Sequence, residues 1–448
     1  MGRKKILKPQ SETQIKRKMH DRRTKGSRVS SWVKLPYPAI VQVLHNLTDS
    51  ERVLSAQVCR SWKQAFQNPG LWRTRHFEFG GSKANSSGQK ALAFVRTKGV
   101  YLRKVFVSCR HITSNTSETI TSTLEKFVPH LREADLENFH ITGLELDRFW
   151  KYYHLRGKVA ESLLQLLQRA KNLKVLEVSL AQFDLLPGTE ILQAVSEACA
   201  TKLSMLLLED FYHSHLAVNE LGDFRLALQS FTNLTVVSLN YCCVYDDLIK
   251  HWALSLRGKL TSLHIKACDN ESHAHTVSDS SWRSLELACP NLTLDLSTVG
   301  IGPAASLIPI LAPNAPVTIL HIWSGYDNDN SLQLNDTINH IAGCYKSCLK
   351  SLHLDFDNYQ DDIDDALIHL VTSCRNLKHL QLKAICSTRV AATICELIRA
   401  RQSVLSSANI MLCAVSDHNM DHLRELREDM ESLARERGVS LVLHNDLF

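Results

Sequence analysis

From residue 99 to the C-terminus, apolar residues recur in the spacing L-x-x-L-x-L. The clearest copies begin at Leu173, Leu203, Leu234, Leu260, Leu292, Val317, Leu349 and Leu377, 25 to 32 residues apart, and the copy at Leu292 is contracted. Weaker copies begin at Leu102 and Leu131. In most copies the last two apolar residues straddle a polar one, the period of a strand with one buried face. The segments between copies, such as 246–258 and 361–374, open with acids and carry apolar residues at helical spacing, among them Ile363, Ala366, Leu367 and Leu370. They predict helices with favourable charge at their N-termini. One strand and one helix per repeat, over about ten repeats, predict an α/β solenoid of horseshoe form, its core continuous from repeat to repeat. At the end, Met420, Leu423, Met430 and Leu433 line one face of a charged helix, Gly438 stops it, and Val439–Leu443 predicts a last strand. This reads as a cap.

Residues 31–79 follow a different plan, joined to the repeats by a linker at 80–98. Pro36 and Pro38 precede a helical stripe of Ile40, Val43, Leu44 and Leu47. Thr48 to Glu51 forms a capping box for a second helix carrying Val53, Leu54, Val58, Trp62 and Phe66, and the QNPG turn closes it before Leu71 and Trp72. About forty residues of short helices are near the lower limit for burying a core. Their apolar stripes are wider than the module itself needs, so it wants a partner.

These residues carry two resemblances. Cys374 and Cys386 bracket one repeat strand, Cys289 precedes another and NYCCVYDDL follows a third, so the repeats resemble the cysteine-containing leucine-rich repeats. The N-terminal module resembles an F-box: Leu35, Pro36, Ile40, Val43, Leu44, Leu47, Asp49, Leu54, Val58, Cys59, Arg60, Trp62, Leu71 and Trp72 fall on that family's pattern, and Pro38 departs from it. The stretch 209–218 further resembles F-box only proteins of similar length. The resemblance implies docking on the Skp adaptor of Skp-cullin-F-box ubiquitin ligases through Leu35, Pro36, Ile40, Val43, Leu44, Leu47, Leu54, Val58, Cys59, Trp62, Leu71 and Trp72, with a protein substrate held on the repeats. Residues following the strand leucines, Asn240, Tyr241, Lys266, Trp323, Phe356 and Lys383, are the candidate substrate contacts. The alternative is a nuclear scaffold that uses the repeats and a basic tail without a ligase.

Charge adds that tail. Residues 1–30 hold eleven Lys or Arg against Glu12 and Asp21, which is +9 of an overall +6 and leaves the remainder at about −3. The segment reads as disordered and as a nuclear import signal or a plain solvated tail, so the location is cytoplasmic, nuclear or both. Without interleaved aromatics, a nucleic-acid arm is disfavoured. No apolar signal core is visible. The uncharged span 296–326 is interrupted by Pro303, Pro309, Pro313 and Pro316, which argues against a membrane crossing. Thirteen cysteines without a secretory signal point to free thiols in a reducing compartment.

No catalytic residue, cofactor or metal site is assigned. Cys59 lacks a nearby base for nucleophilic work. His213/His215, His273/His275 and Cys344/Cys348 lack a second pair at metal-binding spacing. The acidic run 355–365 reads as a helix start with its loop. Neither GxxxxGK[ST] nor GxGxxG occurs.

Overall fold

Thirteen strands stand side by side in chain order: β1 Thr74–Gly80, β2 Lys104–Arg110, β3 Asn138–Thr142, β4 Val175–Ser179, β5 Met205–Leu207, β6 Val236–Asn240, β7 Ser262–Cys268, β8 Thr293–Val299, β9 Val317–Trp323, β10 Ser351–Asp355, β11 His379–Ala384, β12 Ser407–Cys413 and β13 Ser440–Asp446. This is a computed structural model. It describes residues 35–446 apart from 111–112, 114, 145–152, 214–215, 272, 274, 327–330, 360 and 414–419. The basic tail at 1–30 lies outside the described residues. Every neighbouring pair of strands is parallel, and helical segments connect them, so the repeat domain is an α/β leucine-rich-repeat solenoid.

The strand pattern comes directly from the alternation of residues. β7 and β8 each alternate half-buried and buried positions along their whole length. Leu263, Ile265 and Ala267 point inward with Leu294 and Leu296, while Lys266 and Ser297 stand on the open face. The inward residues of β1 to β13 and the apolar faces of the intervening helices form one core, reaching from Phe77 to Leu443.

The ten anticipated copies correspond to β2 through β11, with one displacement. The copy at Leu131 was expected to be a strand, but Val128–Leu131 is a 3-10 turn and the strand follows at Asn138, with Phe139 and Ile141 inward. Two strands were missed. β12 has Ala408 where the spacing expects leucine. β1 lies in the sequence RTRHFEFG, whose phenylalanines Phe77 and Phe79 replace the leucines. The stretch 80–98, expected to be a linker, contains the helix Ala84–Lys98, which packs on β1. Its Ala84, Gly88, Ala91 and Val95 stripe is small rather than leucine-rich, which hid it. The solenoid therefore begins at Thr74, and the chain divides into units 1–73 and 74–448. The cap is present: Leu423, Met430 and Leu433 of the helix Met420–Arg437 are buried, and Gly438 takes φ +67°.

Where the chain leaves β3, Gly143 adopts φ +73°, and a Cβ there would sit 2.2 Å from the Cys109 carbonyl oxygen. Gly143→Ala should therefore lower stability by about 2 to 4 kcal/mol, from left-handed backbone strain plus a clash with backbone that cannot rotate away. A denaturant midpoint unchanged from wild type would refute that contact.

Candidate functional site

The N-terminal unit is built from α1 Tyr37–His45, α2 Asp49–Ser55, α3 Arg60–Phe66 and a 3-10 turn at Pro69–Trp72. Pro38 falls in the first turn of α1, where its missing N–H costs nothing. The expected capping box forms: Glu51 N–H donates to Thr48 Oγ1, and Thr48 N–H donates to Glu51 Oε2 at 2.8 Å. The second helix expected from the sequence is two helices. Cys59 is extended (φ −161°, ψ 172°) and separates α2 from α3. The spacing Leu54, Val58, Trp62 imitates one helical stripe, but the break turns its halves apart.

That break decides what the surface presents. Of the twelve residues expected to dock a partner, Ile40, Leu44, Trp62, Leu71 and Trp72 are buried and form the interior of the module. Trp72 donates its indole N–H to the Phe66 carbonyl at 3.2 Å and meets the Phe66 ring edge-on at 5.1 Å. Leu35, Val43, Leu47 and Cys59 are half-buried, and Pro36 is exposed. Leu54 and Val58 are 63% and 67% exposed, joined by Tyr37 and by Val53, which the family pattern did not single out.

Sequence reasoning also missed Arg52, which ties the module together. Its guanidinium donates to the Leu44 carbonyl at 2.8 Å, the His45 carbonyl at 3.1 Å and the Leu71 carbonyl at 3.4 Å, and it lies over the Trp72 ring. One fork thus satisfies the carbonyl end of α1 and clamps the final turn. It also pairs with Asp49 one turn away, at 3.4 Å.

In the solenoid the candidate contacts divide by strand parity. Lys266, Trp323 and Lys383 follow the last consensus apolar residue of their repeats, Ile265, Ile322 and Leu382, and stand on the open face. Phe356 is one residue further on and turns inward, buried at 4% exposure. Tyr241 is buried as well, stacked on His275 at 4.9 Å. Asn240 has the right parity but is covered: its amide donates to Asp210 Oδ1 at 2.9 Å and Glu271 Oε1 at 2.6 Å and accepts from the Asp210 N–H. These three are structural. Lys266 joins the same network through Asp210 at 2.6 Å and Glu209 at 3.1 Å. Burial opposes its charge, but the two carboxylates outweigh that and hold the ammonium above its usual range.

Glu271, at the centre, is pushed up to about 7 by burial, against hydrogen bonds from Asn240 and the Cys242 N–H. The unfolded carboxyl loses its proton near the ordinary 4.5, while the folded one keeps it to about 7. Its contribution is therefore complete below about pH 4.5 and is lost as pH rises through 7.

The metal candidates do not assemble. His213 contacts the Arg156 guanidinium, and His215 lies outside the described residues. His275 is occupied by Tyr241. Among the described residues no group of three or more His, Cys, Asp or Glu is placed to hold a metal ion. Nor, among them, is any helix long and apolar enough to cross a membrane.

Two outcomes follow. Arg52→Met should destabilise the N-terminal unit by about 2 kcal/mol, by leaving helix-end carbonyls unpaired, and Arg52→Lys should not restore it because one ammonium cannot span three acceptors. Hydrogen exchange over residues 37–72 would read this, and wild-type protection in either variant would contradict it. Glu271→Gln should flatten the fall in stability between pH 4.5 and 7, a change on the order of 2 to 3 kcal/mol. Melting curves across that range would test it, and an unaltered slope would count against the assignment.

Residues 32–78 match the F-box-like family. Among solved structures, the leucine-rich repeat-containing protein LegL7 from Legionella pneumophila is similar at 13% identity over 83% of this chain and 91% of its own, with a TM-score of 0.35. That superposition is too loose to rest an assignment on, and the repeat architecture stands on the register of the chain's own strands. Residues 32–78 are thus an F-box-like domain, in a chain where that domain precedes a leucine-rich-repeat solenoid.

Proposed function

We propose that the chain is the substrate-recognition subunit of an SCF-type ubiquitin ligase: the F-box-like module docks on a Skp-family adaptor, and through it a cullin-RING assembly, while the solenoid presents a protein substrate. The observation that carries this reading is the apolar surface of the module. Tyr37, Val53, Leu54 and Val58 are all exposed within 22 residues, on a domain of a family whose members generally bind such adaptors. A surface of this kind on a small module is an interaction site by default. The chain itself is non-catalytic in this reading. It raises the effective concentration of a substrate lysine beside the ubiquitin-loaded enzyme, and the bond-making groups belong to other subunits.

Within the solenoid, the open-face residues Lys266, Trp323 and Lys383 remain the proposed substrate contacts. Trp323 meets the exposed Tyr326 ring edge-on at 5.0 Å, and Lys383 pairs with Asp355 at 3.4 Å. Aromatic anchors beside satisfied charges are what interface centres favour.

Leu54→Asp with Val58→Asp tests adaptor docking. Burying two such side chains is worth roughly 3 to 6 kcal/mol, so the double variant should bind the adaptor at least about 100-fold more weakly, while its melting temperature stays close to wild type because both side chains already face solvent. Calorimetric titration of the full chain with purified adaptor reads this. Wild-type affinity in the variant, or no adaptor binding by the wild type, would overturn the reading.

A further inference from the structure

The open face of the last five strands holds a pocket of about 290 Å³ whose lining contains imidazoles, amides and hydroxyls but no Asp, Glu, Lys or Arg. His321 of β9 and His353 of β10 are register partners, with their Nδ1 atoms 3.4 Å apart. Gln381 of β11 lies beside His353, and Asn409 of β12 beside Gln381. His379 shares a hydrogen bond with Ser407 at 2.8 Å. The charged groups around this cluster are on its margins. Asp295 of β8 stands 3.9 Å from the far nitrogen of His321, and Asp355, on the same strand as His353, is paired with Lys383 of β11. Burial and the neighbouring His321 ring push the His353 imidazole below its usual range.

Donors therefore converge on a pocket whose own lining holds no carboxylate, Asp295 standing outside it on the far side of the His321 ring. Two imidazoles this close cannot both be charged cheaply unless an anion lies against them. A single carboxylate is such an anion, and it is also the acceptor that the amide and imidazole N–H groups require. A phosphate dianion would want a permanent cation, but no Lys or Arg lines the pocket and Lys383 is committed to Asp355. We propose that this pocket binds the carboxylate side chain of a glutamate or aspartate in a protein substrate, and that the bound carboxylate draws a proton onto the His353 imidazole. This rests on the reading that the solenoid's open face presents substrate, and it names the chemistry that face selects. Binding then tightens on mild acidification, since glutamate stays ionised between pH 8 and 6 while imidazoles gain protons.

The probe is acetylated, amidated, fluorescein-labelled hexaglutamate, with hexaglutamine as control, titrated into the full chain bound to its adaptor. Hexaglutamate should bind, about tenfold more tightly at pH 6 than at pH 8, and hexaglutamine should not. His321→Gln with His353→Gln should abolish the pH dependence and weaken binding at pH 6 at least tenfold. Gln381→Glu, which supplies an internal carboxylate, should also block the probe, and His76→Gln at the far end of the same face should have no effect. Equal binding of hexaglutamine, an unaffected double variant, inorganic phosphate competing better than acetate, or loss of binding with a chelator would each overturn the proposal. Adaptor affinity measured on the same samples separates the two ideas. A chain that holds the adaptor but ignores hexaglutamate loses only the pocket, and one that binds hexaglutamate but not the adaptor loses only the ligase reading.

Discussion

The structure depends on a backbone ladder that no single repeat can complete. Just before each of several strands, an N–H donates to a carbonyl of the previous repeat: Lys174 to Glu137, Ser204 to Lys174, Thr235 to Ser204, Thr261 to Thr235, Lys378 to Lys350 and Ser406 to Lys378, at 2.7 to 2.8 Å. Ser204, Thr235, Thr261 and Ser406 add their hydroxyls to the same carbonyls. A parallel strand removed from this stack would leave both rows of backbone groups without partners, a cost well above what one repeat's leucines recover. Cooperation between repeats is therefore enforced by hydrogen bonding as well as by apolar burial. It also fits the tolerance of unequal repeats: helix length varies, from four residues at Ala304–Leu307 to eighteen at Met420–Arg437, while neighbouring strands stay paired, with a register shift between Leu294 and Asp295.

How much of this was legible in the sequence depended on which residues carried the signal. The leucine spacing located nine strands, β2 and β4 to β11, because each inward leucine is buried by its neighbours in the stack, and the pattern of the core is the pattern of the chain. β1 and β12 escaped because phenylalanine and alanine serve as their inward residues, chosen by the space available in the stack rather than by the consensus. The helix Ala84–Lys98 escaped for the same reason: a close approach to its neighbours selects alanine and glycine, and a Cβ on Gly88 would meet Thr123 at 2.8 Å. Small residues at a close contact read as a linker until the contact is seen.

The candidate sites were legible to a lesser degree, and the reason is geometric. Family pattern in the F-box-like domain marks residues that matter without saying which way they face. Trp62 and Trp72 matter because they hold three short helices together, and Leu54 and Val58 because they do not. The extended backbone at Cys59 separates these roles, and no residue type announces it. Arg52 shows the converse: its work is done on carbonyl groups, which every residue possesses, so its three acceptors leave no trace in the sequence. On the solenoid, counting one residue past the last leucine would have kept Lys266, Trp323 and Lys383 and rejected Phe356 and Tyr241, since parity alone sets the face. Asn240 would still have misled, because what covers it arrives from the next repeat.

Polar groups at two places along the open face of the sheet solve different problems. Around the ends of β6 and β7, Asp210, Asn240 and Glu271 satisfy one another and hold the Lys266 ammonium in place, which makes the cluster rigid. Along β9 to β11, His321, His353 and Gln381 are in register but lack the acceptor that would close the set in the same way. A surface that spends its carboxylates on neighbouring lysines, as Asp355 does on Lys383, and leaves its imidazoles facing outward offers donors that a second molecule can use. Recognition on such a face then depends on which rows of the sheet leave their polar groups unpaired as well as on shape.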